Sequence, residues 1–260
     1  MKLKLLWMYH DLMDLYGDKG NIQVLKTRCE KRGIEVIADT CTLQELRTIE
    51  DYDLFFLGGG ADREQGLIFE DLLSRRNGIE EAMKKNTAFL LICGGYQMFG
   101  KYYKDQDGKE VPCLSFFDYY TVASDRDHRC IGNIAVEVNM DGNTFRAVGF
   151  ENHGGMTRDV STPFGKVLYG HGNTFDSGFE GFMNDQVVAT YMHGPLLPKN
   201  PMIADLLIRR ALRRNYGEVE LEPLDDTLEN KAREIMLQRL GVSESAEGSA
   251  AKDEQAPSES

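Results

Sequence analysis

Positive charge is in short supply. Thirty Lys and Arg stand against 42 Asp and Glu in 260 residues, a formal charge of −12. A nucleic-acid binder needs clustered cations to meet phosphates, so that class is set aside. No apolar run approaches the roughly 20 residues a membrane-spanning helix requires, and no membrane span is expected. Met1–Tyr9 alternates Lys with Leu only briefly and has no small-residue cleavage site, so it does not read as a secretory signal. A soluble, cytoplasmic chain is the expectation. Cysteine is sparse and odd in number, five in all with no Cys-x-x-Cys spacing. Neither a disulfide framework nor a zinc site is suggested, and a single reactive thiol becomes the feature to look for. Internal repeats are absent. So is the phosphate loop Gly-x-x-x-x-Gly-Lys-Ser/Thr, and the dinucleotide fingerprint is unmatched in its strand-to-helix context.

What is there reads as an α/β protein. Short, almost continuous apolar runs at Leu3–Tyr9, Ile34–Ile37, Leu54–Leu57 and Ala88–Ile92 resemble strands buried on both faces, the pattern of a parallel sheet. Asn21–Lys31, ending at Gly33, and Leu43–Ile49, after Thr42, are expected to be the crossover helices between them. From about Val111 the texture turns to alternating strands with Asp-Gly turns at Asp107–Gly108 and Asp141–Gly142, so antiparallel strands should extend the sheet. Gln186–Met192 returns to a buried strand, and Met202–Arg214 carries Ile203, Leu206, Leu207 and Ala211 on one helical face. Asp226 opens a last helix, with Glu229 placed as in a capping box and Gly241 as the stop. The expected organisation is a domain over 1–215, a C-terminal helical extension over 216–241, and an acidic, disordered tail over 242–260.

The strongest local signal is Ala88–Gly100, where a buried strand meets Cys93-Gly94-Gly95 and then a helix. A sharp strand-to-helix turn needs glycine beside the nucleophile, and it leaves the sulfur at the carboxyl end of the sheet. The helix N-terminus and the Gly94 N–H then face the place where an oxyanion forms. The plain alternative, a small apolar residue ending a strand, carries about equal weight on spacing alone. Cys29, Cys41, Cys113 and Cys130 lack the glycine turn and read as packing residues.

A cysteine nucleophile needs a base. His193 ends the apolar run Val187–Met192 and precedes Gly194-Pro195, so it stands where a strand gives way to a turn. His153, two residues after Glu151, is the second candidate. Leu54–Leu57 runs into Gly58-Gly59-Gly60, a loop suited to supplying an N–H opposite Gly94; a flexible turn is the alternative.

Together these segments resemble class I glutamine amidotransferases, whose elbow carries Cys-x-Gly-x-Gln, here Cys93, Gly95 and Gln97. The similarity is closer to the cobyric-acid-synthase type, and within it to the glutaminase subunits of bacterial lipid II isoglutaminyl synthases. Tyr16–Asn21, Gly58–Gln65, Phe150–Gly155 and Tyr191–Asn200 carry it, across roughly 1–215. The resemblance implies a mostly parallel sheet flanked by helices, with Cys93 as nucleophile and His193 as base. It implies Gly59 and Gly94 as oxyanion donors and Arg129 as the anchor for the glutamine carboxylate, with Gln97 in the same pocket. An Arg suits that role because its planar fork meets two carboxylate oxygens at once.

The implied activity is hydrolysis of L-glutamine to glutamate and ammonia. The implied partner is a Mur-ligase-like subunit that forms a heterodimer with this chain, holds ATP and Mg, and amidates the D-glutamate α-carboxylate of lipid II. No cofactor is expected on this chain, and the acceptor is lipid-linked. Alternatives are a subunit serving another acceptor, such as a corrinoid carboxylate, and a catalytically silent module on the same fold. Arg209, Arg210, Arg213 and Arg214 form a basic cluster that reads chiefly as a solvated helix face. Two departures stand out. Many class I members place a Glu two residues after the catalytic His, whereas Pro195 stands there, so the orienting acid should come from elsewhere, as from a partner. Leu91 replaces the usual Gly two residues before the nucleophile.

Overall fold

The structure, a computed structural model, describes residues 1–125 and 128–243. The tail expected to be disordered lies, from 244 onward, outside the described residues.

In chain order the strands are β1 (Lys2–Met8), β2 (Glu35–Cys41), β3 (Leu54–Leu57), β4 (Ala88–Ile92), β5 (Tyr102–Lys104), β6 (Glu110–Pro112), β7 (Tyr120–Ala123) and β8 (Cys130–Met140). They continue with β9 (Asn143–His153), β10 (Gly155–Arg158), β11 (Gly165–Tyr169), β12 (Phe179–Glu180), β13 (Phe182–Met183), β14 (Val187–Thr190) and β15 (Met192–His193). The helices are α1 (Lys19–Glu30), α2 (Asp62–Ser74), α3 (Arg76–Lys84), α4 (Gly94–Met98), α5 (Pro201–Tyr216) and α6 (Thr227–Arg239).

The apolar runs do form a parallel sheet, in the order β13-β14-β4-β3-β1-β2, with β13 its one antiparallel strand. Every residue of β3, β4 and β14 is buried, as strands covered by helices on both faces must be. Leu6, Phe55, Phe56, Leu90 and Val188 form the centre of the core. Each such side chain contributes roughly 1.5–3 kcal/mol on burial. The carboxyl ends of β1, β3, β4 and β14 lie side by side, and from that edge emerge the 9–18 loop, the three glycines, Cys93 and the stretch leading to His193.

Most antiparallel strands build two further sheets instead of prolonging the first. One is β10-β7-β5-β6, in which β5 and β7 run parallel, and the other is the antiparallel β12-β11-β8-β9-β15. The two Asp-Gly turns join β5 to β6 and β8 to β9, as expected; Asp141 and Gly142 have φ of 52° and 76°, the left-handed pair a tight hairpin needs. The chain passes from β14 in the parallel sheet to β15, whose Met192 and His193 pair with Glu151 and Phe150 of β9. The backbone of His193 is thus held by β9, three residues after the chain leaves the parallel sheet.

Residues 43–49 are not a helix. The segment is a turn and open chain before a short 3-10 turn at Ile49–Asp51, with Gln44 at φ 61°. Seven helical residues advance only ~10 Å, too little to return along β2 to the start of β3. At Asp226, no side-chain cap forms on α6. Its carboxylate instead meets Arg28 of α1, which also grips Asp205 of α5 in two-point fashion at 2.7 and 2.8 Å. That knot, with Leu237 packed on Ala135 and Val148, docks α6 on the body of the chain itself. Of the basic cluster, Arg214 is turned inward and donates to the carbonyls of Glu50 and Tyr52, while Arg209 pairs with Asp141 at 2.8 Å on the surface. Among the described residues no helix is long and apolar enough to cross a membrane.

Candidate active site

At the end of β4 the chain turns through Cys93 with φ 51° and ψ −103°, a region non-glycine residues avoid, and α4 starts at once. Such strain costs on the order of 1–3 kcal/mol and collects at functional positions. Of the neighbouring glycines, Gly95 is obligatory for space, because it meets backbone, whereas Gly94 meets only the end of a flexible side chain. A Cβ on Gly95 would fall 2.6 Å from the Leu57 carbonyl oxygen, and one on Gly94 2.8 Å from the Gln65 side chain. Leu91 does not prevent the elbow; it sits in register with Leu57 and Ala189, fully buried. Cys93 is 5% exposed at the floor of a cavity of about 270 Å³. Burial pushes the Cys29, Cys113 and Cys130 thiols up to about 12, and that of Cys41 upward, as inert packing residues require.

His193 comes to Cys93 over the glycine loop. A Cβ built on Gly59 would lie 2.6 Å from His193 Cε1 and 3.2 Å from Cys93 Cβ, so only a glycine leaves these two side chains room to meet. The His193 Nδ1 lies 3.3 Å from Asp18 Oδ1, with both side chains fully buried. Burial disfavours the imidazolium, but Asp18 and then the Cys93 sulfur outweigh it and push the His193 pKa up to about 10. The imidazole is held by the carboxylate at Nδ1 and lies beside the Cys93 side chain, its Nε2 without a hydrogen-bond partner among the described residues.

Asp18 is the acid the sequence seemed to lack. It lies within the Tyr16–Asn21 block just ahead of α1, where an Asp reads as a helix cap, yet it makes no cap bond. Its second oxygen accepts the Gly59 N–H at 2.8 Å. Pro195, standing where a Glu was expected, packs on Gly20, whose Cβ would come within 2.5 Å of the ring. Asn21 Oδ1 accepts the N–H of Leu197. The start of α1 is thus laced to the segment that carries His193. One expectation changes with this geometry: the Gly59 N–H is committed to Asp18 and does not face the cavity as an oxyanion donor. Gly60, the next residue, lines the cavity with Cys93.

Arg129, Gln97 and His153 also line that cavity. Arg129 gives its Nε and Nη2 to Asn152 Oδ1 at 3.2 and 3.1 Å. Gln97 donates to the Tyr191 hydroxyl at 3.1 Å beneath the pocket. His153 is engaged elsewhere: its Nδ1 meets the Gly155 carbonyl at 2.7 Å and its ring stacks on Tyr191 at 3.6 Å, while burial lowers its pKa. Sequence reasoning missed Asp18, Tyr16 and Asn152 as site residues. No local pattern announces them, because each acts on a residue distant in the chain.

A strained cysteine at a strand–helix elbow, an imidazole and a buried carboxylate define the class of cysteine-nucleophile amidotransferase sites. The match to a family model agrees: residues 4–201 fit the CobB/CobQ-like glutamine amidotransferase domain, and the chain belongs to that family. It is 38% identical over 237 residues to the lipid II isoglutaminyl synthase (glutamine-hydrolyzing) subunit GatD of Staphylococcus aureus (strain N315), covering 90% of this chain and 96% of that one. The corresponding GatD of Streptococcus pneumoniae (strain ATCC BAA-255 / R6) is 36% identical, with 90% of each chain covered. A probable cobyric acid synthase of Methanocaldococcus jannaschii is 28% identical over 62% of this chain, which spans 36% of that protein's length.

Proposed function

We propose that this chain is the glutaminase subunit of a two-subunit ligase that amidates lipid II. The observation that carries the reading is the buried array of Cys93, His193 and Asp18 at one end of the sheet. The thiolate of Cys93 attacks the side-chain amide carbon of L-glutamine, and the tetrahedral oxyanion is met by the N–H of Gly94, with Gly60 the next donor in the loop. The His193 imidazolium protonates the departing ammonia while Asp18 holds its ring. The imidazole then activates a water that hydrolyses the thioester and releases glutamate.

Free ammonia is protonated in water and lost as a nucleophile, so the product must pass directly to an acceptor. The likeness to the two GatD subunits supports a Mur-ligase-like partner that holds ATP and Mg and activates the D-glutamate α-carboxylate of lipid II. Cys93→Ala in the assembled complex tests this. Glutamine-dependent amidation of lipid II should vanish while ammonia-dependent amidation persists. Loss of both, or of neither, overturns the division of labour. A glutamine-mimicking electrophile should label Cys93 and no other cysteine; no labelling, even in complex, would make the chain a silent module.

A further inference from the structure

We propose that Asn152 and Tyr16 form a clamp that presents the guanidinium of Arg129 to the α-carboxylate of glutamine. The clamp rests on the function proposed above and adds to it two positioning residues.

A guanidinium has a side edge, Nε with one Nη, and an end edge made by the two Nη nitrogens. Asn152 Oδ1 takes the side edge, at 3.2 Å from Nε and 3.1 Å from Nη2. The end edge stays open, and it is the one that can meet both oxygens of a carboxylate. Gly154 keeps it so, since a Cβ there would come within 3.1 Å of Nη1. Among the described residues Arg129 forms no ion pair, so its charge is left for a ligand.

The clamp's own orientation is determined as well. Asn152 Nδ2 donates to the Tyr16 hydroxyl, which keeps Oδ1 turned to the cation. Tyr16 is held in the left-handed region at φ 56°, with its ring edge-on to His193 at 5.1 Å and to Phe150 at 5.8 Å. Tyr16, Asn152 and Arg129 all line the cavity that holds Cys93. One tyrosine thereby joins the wall over the base to the anchor for the substrate. A neutral amide is the apt residue at 152. A carboxylate there would pair with Arg129 and compete with the substrate, while an unheld arginine would lose rotamer freedom on each binding event.

Two measurements on the full chain test the clamp. In steady-state glutaminase assays Asn152→Asp and Asn152→Ala should raise KM for L-glutamine by about tenfold or more, with kcat within about threefold, and Tyr16→Phe should raise KM by a smaller factor. The preference for L-glutamine over glutaminamide, whose α-carboxylate is an amide, should fall in step. Calorimetry of L-glutamine on the Cys93→Ala protein, with and without Asn152→Asp, reads the same contact without turnover. Binding by Cys93→Ala that Asn152→Asp leaves unchanged overturns the clamp alone. No binding by Cys93→Ala overturns the glutaminase reading and the clamp with it. Should Asn152→Ala prove unstable, Tyr16→Phe and Asn152→Asp keep the shape of the site, and an unaltered KM and selectivity in both also overturns the proposal.

Discussion

Asp18 stands 3.3 Å from the Nδ1 of His193 across 175 residues of sequence, and its other oxygen holds the Gly59 N–H. One carboxylate thus holds the imidazole of His193 and the glycine loop over which His193 and Cys93 approach each other. A carboxylate placed to orient His193, expected from elsewhere, as from a partner, is present in this chain. Isolated, the chain should therefore turn glutamine over; a rate indistinguishable from the Cys93→Ala protein would show that the partner supplies something more.

Asp18→Asn should lower kcat for glutamine by on the order of 10²-fold or more, since a base with a misdirected tautomer loses most of its use. The pH profile gives the sharper reading. In the proposed mechanism His193 is protonated when it expels ammonia, so activity in the wild type should persist until the imidazolium titrates near pH 10. Removing the carboxylate removes the leading cause that raises this pKa, and the alkaline limb should move toward neutrality. The pair also stabilises the fold fully below about pH 6.5, and that contribution fades as pH rises through about 10. An unmoved alkaline limb would refute the role given to Asp18.

Gly59→Ala should abolish glutaminase activity with little loss of fold. The added methyl would lie 2.6 Å from His193 Cε1 and 3.2 Å from Cys93 Cβ, so it separates the two groups at the carboxyl edge of the sheet. Near-UV circular dichroism with a wild-type signature, alongside lost turnover, is the expected pair of results.

Glu180 is fully buried, and burial raises its pKa to about 7 despite hydrogen bonds from the Thr190 hydroxyl and the Tyr191 N–H. An acid raised in the folded state stabilises below its ordinary value and loses that contribution as pH climbs through the folded one. Stability should fall between about pH 4.5 and 7, by on the order of 3 kcal/mol. In Glu180→Gln this slope should flatten, as read from urea midpoints across that range.

Arg28→Met should cost about 1.5–3 kcal/mol, because it leaves the half-buried Asp226 just ahead of α6 without its cation, while Asp205 of α5 keeps Arg32. Leu237→Ala, which empties the small core under α6, should cost about 2–5 kcal/mol. Proteolysis near Thr227 should accelerate in both, and equal protection in Arg28→Met would mean the knot is not what holds α6.

Much of the fold was legible because parallel strands covered on both faces must be continuously apolar: β3 and β4 fall on the residues the pattern marked. The elbow was legible for the same kind of reason, since small residues beside a cysteine at a strand end leave few backbone options. Other features were not. Leu43–Ile49 carries a helix-like pattern, but the distance back to β3 demands an open chain. The alternating strands announced their hairpins but not that they would leave the first sheet, because register between separate sheets is set by packing.

The chain's local chemistry thus settled the element types, the Cys93 turn and the candidacy of His193, all of which depend on neighbours within a few residues. Contacts over long separations settled the rest. Asp18 became the partner of His193, the Gly59 N–H was turned to that carboxylate, and Asn152 was placed between Tyr16 and Arg129. A buried charge or amide takes whichever partner the folded chain brings within about 3 Å, and no spacing along the sequence encodes that choice.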